Sequence, residues 1–227
     1  MSHVELELAS QPECWSRAAE LARQPATAGA LPRPGQRVAV LGCGTSYFVA
    51  GGYAALREAA GQGETDAFPA SEFPAGRRYD RVLAISRSGT TTEVLRAVRA
   101  TTAPVTAILA DPATPLATAT GQVIVLPFAD EQSVVQTRFA TSTLALLRAH
   151  LGEDLREAVR DANAALAAPL PLDPGTTEQV TFLGQGWTVG LAQEAALKCR
   201  EAAGLWTEAY PAMEYRHGPI AIAGPGR

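Results

Sequence analysis

Short apolar runs alternate along most of this chain with longer stretches in which apolar residues recur every three or four positions. Runs of strand length, rich in Val, Ile and Leu, lie at residues 37–41, 80–85, 105–109 and 122–126. Helical spacing is found at residues 13–23, 47–60, 94–100, 133–151 and 153–168, and the Pro/Gly-rich residues 25–35 end the first of these helices. Strands that alternate with helices through short polar turns predict an α/β fold with a doubly wound parallel sheet.

The pattern begins again near the end of the chain, after the proline-rich residues 169–175. A strand is predicted at residues 179–183, followed by a glycine-containing turn and another Ala-rich helix. Three segments repeat in the same order: Leu41–Gly44 as Leu183–Gly186, Arg57–Gly61 as Arg200–Gly204, and Thr65–Phe73 as Thr207–Tyr215. The chain therefore carries two copies of one α/β unit, the second of them partial.

This repeat predicts an N-terminal domain with a leading helix at residues 1–168, a linker at 169–175 and an incomplete second domain at 176–227. Arg227 corresponds to Ile85 of the first copy, so the second copy lacks the loop and strands that follow Ile85. Either the second domain is truncated or a partner completes its sheet. We favour truncation, because an open sheet edge of the buried type is a liability.

Composition narrows the class of protein. The 227 residues are 47% hydrophobic and 19% charged with a net charge of −4, which excludes disorder and any general attraction for nucleic acid. No apolar run approaches the ~20 residues of a membrane-spanning helix, and the N-terminus lacks the features of a signal peptide. Three isolated cysteines indicate a reducing, cytoplasmic compartment and no structural zinc.

Two glycine-containing loops follow predicted strands. Ser86–Thr92 offers five hydroxyls around Gly89 at a helix start, which favours a phosphate monoester, although simple helix capping is the alternative. No Walker A sequence is present, which argues against nucleoside triphosphates. Gly42–Ser46 fits a dinucleotide fingerprint poorly, because Tyr47 stands at its third glycine; its Thr45 and Ser46 are suited to binding sugar hydroxyls.

The second copy carries the remaining chemistry. Lys198 is the single lysine among 19 basic residues, and helical spacing places it on one face with Glu194 and Glu201. These three residues form either a surface salt-bridge stripe or a carboxylate base beside an ammonium that stabilises developing negative charge. His217, at a Gly-Pro turn, is either an exposed residue or a proton shuttle.

Together these motifs resemble the SIS (sugar isomerase) family in its tandem form. The likeness covers nearly the whole chain and lies in five ordered motifs: Gly44–Ser46, Ser86–Thr91, Glu131–Phe139, Glu194–Glu201 and His217–Pro219. It implies a flavodoxin-like sheet that binds no nucleotide, no metal or organic cofactor, and a homodimer or larger homo-oligomer with no nucleic-acid or membrane partner.

The resemblance also implies a role for each motif. Glu201 would move a proton between C1 and C2 of the open-chain sugar, Lys198 would contact the sugar oxygens, and Glu194 would support that site. His217 would assist ring opening from a neighbouring subunit. The residues implied to hold the phosphate are Ser86, Arg87, Ser88, Gly89 and Thr91, and those lining the sugar are Gly44, Thr45, Ser46 and Val134.

The expected function is isomerisation or ketosamine-phosphate deamination or deglycation of a hexose or amino-hexose 6-phosphate. The alternative is a non-catalytic sugar-phosphate sensor. Ser2 stands where amidotransferase members of the family expose an N-terminal cysteine, so the chain alone is expected to lack glutaminase activity. Arg87 departs from the family pattern as a charged residue that adds to phosphate binding or selects an anionic group on the ligand.

Overall fold

The structure, a computed structural model, describes residues 2–171, 173 and 175–224. Residues 172 and 174 of the predicted linker, and 225–227 of the predicted second domain, lie outside the described residues. The helices are α1 His3–Ala9, α2 Gln11–Ala22, α3 Pro25–Ala30, α4 Thr45–Ala59, α5 Thr92–Ala100, α6 Pro115–Ala119, α7 Arg138–His150, α8 Arg156–Ala167 and α9 Thr188–Ala203. The strands are β1 Val38–Gly42, β2 Thr65–Pro69, β3 Arg81–Ile85, β4 Val105–Leu109, β5 Gln122–Val125, β6 Gln179–Gly184 and β7 Trp206–Pro211.

The first five strands form one parallel sheet in the order β2-β1-β3-β4-β5. From β1 the chain adds β2 on one side of the sheet and then crosses to the other side of β1 to add β3. This change in winding direction leaves a crevice at the carboxyl ends of β1 and β3. The predicted doubly wound α/β fold is confirmed.

Alternate residues of the central strands enter two separate cores. In β1, Val38 and Val40 pack with α2, α4 and α7 on one face, whereas Ala39 and Leu41 pack with α5 and α6 on the other. Because both faces are covered, β1 is buried at every position and has no polar face. This double burial explains why the strands are continuous apolar runs in the sequence.

A second, two-stranded parallel sheet pairs β6 with β7. Its register repeats that of β1 and β2: Gly42 lies opposite Pro69 in the first sheet, and Gly184 lies opposite Pro211 in the second. Helix α9 packs on α4, and at Gly190 the two backbones are so close that a Cβ would lie 2.5 Å from the carbonyl oxygen of Phe48. The repeated unit seen in the sequence is therefore a repeated β–α–β structure.

The predicted helix at residues 133–151 is wrong in its first turn. Helix α7 begins at Arg138, because the Glu131 carboxylate accepts hydrogen bonds from the backbone N–H groups of Thr137, Arg138 and Phe139 and so ends the preceding loop.

The Pro/Gly-rich residues 25–35 contain the short helix α3, with Pro25 in its first turn, where proline is tolerated. Within the described ranges, no helix has the length and apolarity needed to cross a bilayer.

Candidate functional site

Two of the predicted motifs flank the crevice between β1 and β3. Residues 43–46 follow β1 and residues 86–91 follow β3, and these strands are direct neighbours with Leu41 opposite Ala84. In open α/β sheets ligands bind at this reversal point, outside the carboxyl ends of the strands. The structure thus brings the two glycine-containing loops to one edge of the sheet.

The hydroxyl groups of the loop after β3 do not cap the helix that follows, α5. Ser86 is buried, and its Oγ shares a 3.1 Å hydrogen bond with Oγ1 of Thr91. Thr91 is the N-cap of α5 by position, yet within the described chain no side chain caps this helix. The capping alternative therefore does not account for these hydroxyls, and the N–H groups of the first turn of α5 remain available to an anion.

Gly89 gives this loop its close-packed shape. Its φ of +60° lies in the left-handed region, and a Cβ here would overlap the side chain of Thr114. Ser88, the next residue towards β3, is exposed, and its hydroxyl accepts hydrogen bonds from the backbone N–H and the hydroxyl of Thr90. Only glycine fits at position 89 without moving the Thr114 side chain.

Arg87 points its guanidinium towards a neighbouring loop. Its NH1 donates hydrogen bonds to the carbonyl oxygens of Glu131, at 2.7 Å, and Ser133, at 3.2 Å. The Arg87 side chain thus joins the loop after β3 to the residues that precede α7. Its expected contribution to phosphate binding stays a prediction.

The turn after β1 meets α9. Gly44 adopts a φ of +53°, and Leu197 of α9 lies 3.8 Å from where a Gly44 Cβ would be. Thr45 and Ser46, the first residues of α4, are both buried. Helix α9 of the second copy therefore covers the turn of the first copy.

The face of α9 near this turn carries the predicted charged cluster. Lys198 Nζ lies 2.5 Å from Oε2 of Glu201 and 3.5 Å from Oε1 of Glu194. The exposed fractions of the side chains are 12% for Glu194, 21% for Lys198 and 39% for Glu201. The cluster is half-buried as a whole, with Glu201 exposed, and the choice between a salt-bridge stripe and a carboxylate base beside an ammonium stays a prediction.

Burial changes the acidity of Glu194. Desolvation raises the pKa of its carboxyl to about 7, although the Lys198 ammonium and the nearby Thr45 hydroxyl act in the opposite direction. Its Oε2 atom is buried and accepts no hydrogen bond from the part of the chain that the structure describes. A carboxyl of this kind changes its protonation near neutral pH, as groups at active sites often do.

Comparisons with known proteins place this arrangement in a family. No family model matches the chain. The isomerizing glutamine–fructose-6-phosphate aminotransferase of Sulfolobus acidocaldarius is 30% identical over 213 residues, which cover 84% of this chain and 35% of the relative. The solved structure of glucosamine-6-phosphate deaminase from Thermotoga maritima is 25% identical with a TM-score of 0.79, over 99% of this chain and 75% of that one. The chain belongs to the sugar isomerase (SIS) family.

The SIS fold extends to more distant structures. Tagatose-6-phosphate ketose/aldose isomerase from Escherichia coli has a TM-score of 0.82 at 21% identity, covering 99% of this chain and 71% of that protein. The present SIS chain spans 35% of the length of the Sulfolobus aminotransferase that it matches.

Two predicted site residues of this SIS chain stand apart from the cluster. Val134 is 94% exposed, in the loop before α7. His217 is exposed and follows β7, where its backbone N–H donates to the carbonyl oxygen of Glu214. The roles expected for both residues stay predictions.

One buried acid near the site is absent from the sequence-based prediction. Glu7 of α1 is 3% exposed and accepts hydrogen bonds from the backbone N–H groups of Gln132 and Ser133. Residues 4–8 read Val-Glu-Leu-Glu-Leu, an alternating pattern in which nothing distinguishes Glu7 from the exposed Glu5. Only the tertiary contact with the loop before α7 identifies it.

Proposed function

We propose that this site transfers a proton between C1 and C2 of a phosphorylated hexose or amino-hexose. The activity is that of an aldose–ketose isomerase or a ketosamine-phosphate deaminase or deglycase. The observation that carries the proposal is the half-buried Glu194–Lys198–Glu201 cluster beside Thr45, at the sheet edge where the hydroxyl-rich loop after β3 also lies. The relatives support it, because their names describe reactions of fructose, glucosamine and tagatose 6-phosphates.

The phosphate binds at the loop after β3. The hydroxyls of Ser86, Ser88 and Thr91 donate to its oxygens, and the backbone at Arg87 and Gly89 adds N–H donors. The uncapped start of α5 contributes the positive end of its dipole. A tetrahedral anion with several acceptor oxygens fits these donors better than a flat, neutral group.

The sugar extends from this loop towards α9, lined by Gly44, Thr45, Ser46 and Val134. Glu201, the most exposed acid of the cluster, removes the proton from C2 of the open-chain aldose, and the C–H electrons form the C1–C2 double bond of an enediol. The same carboxyl returns the proton to C1. The C2 hydroxyl becomes the ketone by giving up its proton through water, which replaces the proton that the C1 oxygen took up when the enediol formed. No oxidant or reductant is needed.

Lys198 and Glu194 assist this transfer. The Lys198 ammonium stabilises the oxygen that becomes negative while the enediol forms, and Glu194 holds the ammonium in place. In an amino sugar the corresponding intermediate is an enolamine, and after proton transfer water adds to the imine carbon and ammonia leaves. His217 donates the proton for ring opening from a neighbouring subunit of a homo-oligomer.

A substrate panel tests the proposal. The protein is incubated with glucosamine 6-phosphate, fructose 6-phosphate and fructosamine phosphates, while ammonia release and interconversion are followed. We expect turnover of at least one substrate and its loss in Glu201→Gln. Ser86→Ala is expected to weaken substrate binding, whereas Thr102→Ala, at an exposed position before the amino end of β4 and so at the opposite edge of the sheet, leaves it unchanged.

The same panel separates catalysis from sensing. Binding of a sugar phosphate by calorimetry with no turnover of any substrate contradicts the proposed enzyme and indicates a sugar-phosphate sensor. Turnover that Glu201→Gln does not affect contradicts the assignment of Glu201 as the base. Turnover with the same KM in Ser86→Ala contradicts the phosphate site.

A further inference from the structure

The loop before α7, residues 131–137, is held from two sides by charged residues. On one side the Glu7 carboxylate accepts hydrogen bonds from the N–H of Gln132 at 2.6 Å, from the N–H of Ser133 at 3.3 Å and from the Ser133 hydroxyl. On the other side Arg87 donates to the carbonyl oxygens of Glu131 and Ser133. Ser133 is thus fixed at its N–H, its hydroxyl and its carbonyl.

The burial of Glu7 is unusual for its position. Helix α1 has only seven residues, and a helix of this length is not stable alone in water. Burying a carboxylate is costly unless hydrogen bonds replace its water. Burial raises the pKa of Glu7, but the hydrogen bonds from Ser133 and from the backbone outweigh this and place the pKa below its ordinary value. Glu7 is therefore ionised at neutral pH, and its hydrogen bonds are charge-assisted.

The held loop presents an apolar side chain to solvent. Val134 directly follows Ser133 and is 94% exposed, so it contributes almost nothing to the core. Arg87, which holds Ser133, belongs to the loop proposed to bind phosphate. The loop before α7 is consequently tied through one side chain to the phosphate loop and through another to the N-terminal helix.

We propose that Glu7 is a positioning residue that sets the loop 131–137, and with it Val134, against the sugar part of the ligand. This inference rests on the proposed function, because it assigns the fixed loop to the sugar end of that site. Glu7 touches no ligand itself and acts through Ser133. The N-terminal helix α1 thereby becomes part of the binding site, although it lies far from the other site residues in sequence.

The test compares two acids of the same helix. Glu7→Gln removes the charge that holds the loop, whereas Glu5→Gln removes a charge that only caps α1 at Ser2. Hydrogen exchange of residues 131–137 in the ligand-free protein is expected to be about tenfold faster in Glu7→Gln and unchanged in Glu5→Gln. Exchange at the wild-type rate in Glu7→Gln would overturn the claim that Glu7 holds the loop.

Calorimetry with two ligands then distinguishes positioning from general stability. For fructose 6-phosphate the Kd is expected to rise about tenfold in Glu7→Gln. For inorganic phosphate, which needs only the loop after β3, it is expected to stay at the wild-type value. Equal weakening of both ligands, or of neither, would overturn the positioning role, because a purely structural residue affects both alike.

Two further outcomes are separable. If the wild-type protein binds no sugar phosphate, the proposed function fails and the positioning role fails with it, whereas hydrogen exchange still shows whether Glu7 holds the loop. If Glu7→Gln does not fold, Ser133→Ala removes the hydroxyl partner from the other side of the contact. Ser133→Ala is expected to raise the Kd for fructose 6-phosphate about threefold and to leave the Kd for inorganic phosphate unchanged. An unchanged Kd for fructose 6-phosphate in this variant would overturn the proposal.

Discussion

The same segment, Arg-Glu-Ala-Ala-Gly, occurs near the end of the helix in both copies of the β–α–β unit, with different consequences. In the first copy Arg57 is fully buried and donates to the carbonyl oxygens of Arg33, Gln62 and Gly63 and to the hydroxyl of Thr65. Glu58 accepts a 2.8 Å hydrogen bond from the N–H of Thr65. Both charged residues thus fasten helix α4 to strand β2.

In the second copy the corresponding residues, Arg200 and Glu201, have different kinds of partner. Arg200 still donates to the carbonyl oxygen of Thr207 on β7, but Glu201 pairs with Lys198 instead. The residue aligned with Lys198 in the first copy is Ala55, which offers no charge. The same Arg-Glu pair thus has different partners in the two copies, and the glutamate pairs with an ammonium only in the second, where the residues before the pair differ.

The largest expected effect is on the buried arginine. Arg57→Leu leaves several buried carbonyl oxygens without a donor, and we expect it to lower the free energy of unfolding by about 3–5 kcal/mol. Arg200→Leu, at the exposed counterpart, is expected to cost less than about 1 kcal/mol. Urea denaturation measures both, and similar losses in the two variants would show that the copies do not differ as described.

Next in size is the effect on turnover. Glu201→Gln is expected to reduce kcat by about 100-fold, equivalent to about 2.7 kcal/mol in the activation barrier, because the amide cannot accept the transferred proton. Glu58→Gln is expected to retain wild-type turnover and to lose about 1 kcal/mol of stability. Steady-state kinetics decide the comparison, and a loss of activity in Glu58→Gln as large as that in Glu201→Gln would remove the distinction.

The raised pKa of Glu194 predicts a pH-dependent stability with no counterpart in the first copy, where the aligned residue is Gly51. Its pKa in the folded protein, about 7, lies above the ordinary value of 4.5. The protonated carboxyl therefore favours the fold below pH 4.5, and this stability is lost as the pH rises through 7. Glu194→Gln avoids that loss, so its stability relative to wild type should improve by on the order of 2 kcal/mol between pH 4.5 and pH 8.

Unfolding curves at several pH values test this directly. A constant difference between the wild-type protein and Glu194→Gln across this range would show that the carboxyl titrates normally. Glu157→Gln, an exposed Glu→Gln substitution on α8, serves as the matched control for the chemical change itself.

The smallest expected effect concerns the contact between the copies. Gly190→Ala places a methyl group against the carbonyl oxygen of Phe48 and the backbone nitrogen of Gly52, and we expect a loss of about 1–2 kcal/mol. Gly51→Ala, on the other helix, meets open space and is expected to stabilise the protein by about 0.5–1 kcal/mol. Thermal unfolding measures whether each variant is less or more stable than the wild-type protein. Stabilisation by Gly190→Ala would contradict the close contact of α4 and α9.

Much of the fold was predictable because its strands are buried on both faces. Residues 82–85 are all apolar, and residues 105–109 are apolar except for Thr106. The structure confirms the strands predicted at residues 80–85 and 105–109 within one residue. The start of α7 was not predictable from residues 133–137, whose helical spacing is overridden by the hydrogen bonds of Glu131. Strand β2 was not predicted; residues 65–69 contain a charged Asp66 and end in Pro69, unlike the apolar runs of the central strands.

The site was predictable where its residues are close in sequence or follow strands of one sheet. Helical spacing alone brings Lys198 to Glu194 and Glu201, and parallel strands bring residues 43–46 next to residues 86–91. The contribution of Glu7 was not predictable, because it depends on a contact between residues more than a hundred positions apart. The predicted division into two domains and a linker remains a prediction.

The measurement that tests the central claim most directly is solvent exchange of a carbon-bound proton. Fructose 6-phosphate is incubated in D₂O with the protein, and loss of a C1 proton signal is followed by NMR. We predict deuterium incorporation with the wild-type protein and incorporation about 100-fold slower with Glu201→Gln, because the carboxyl that removes the proton exchanges it with solvent. Absence of incorporation from fructose 6-phosphate and glucosamine 6-phosphate alike, or equal rates in the two proteins, would contradict C1–C2 proton transfer by Glu201.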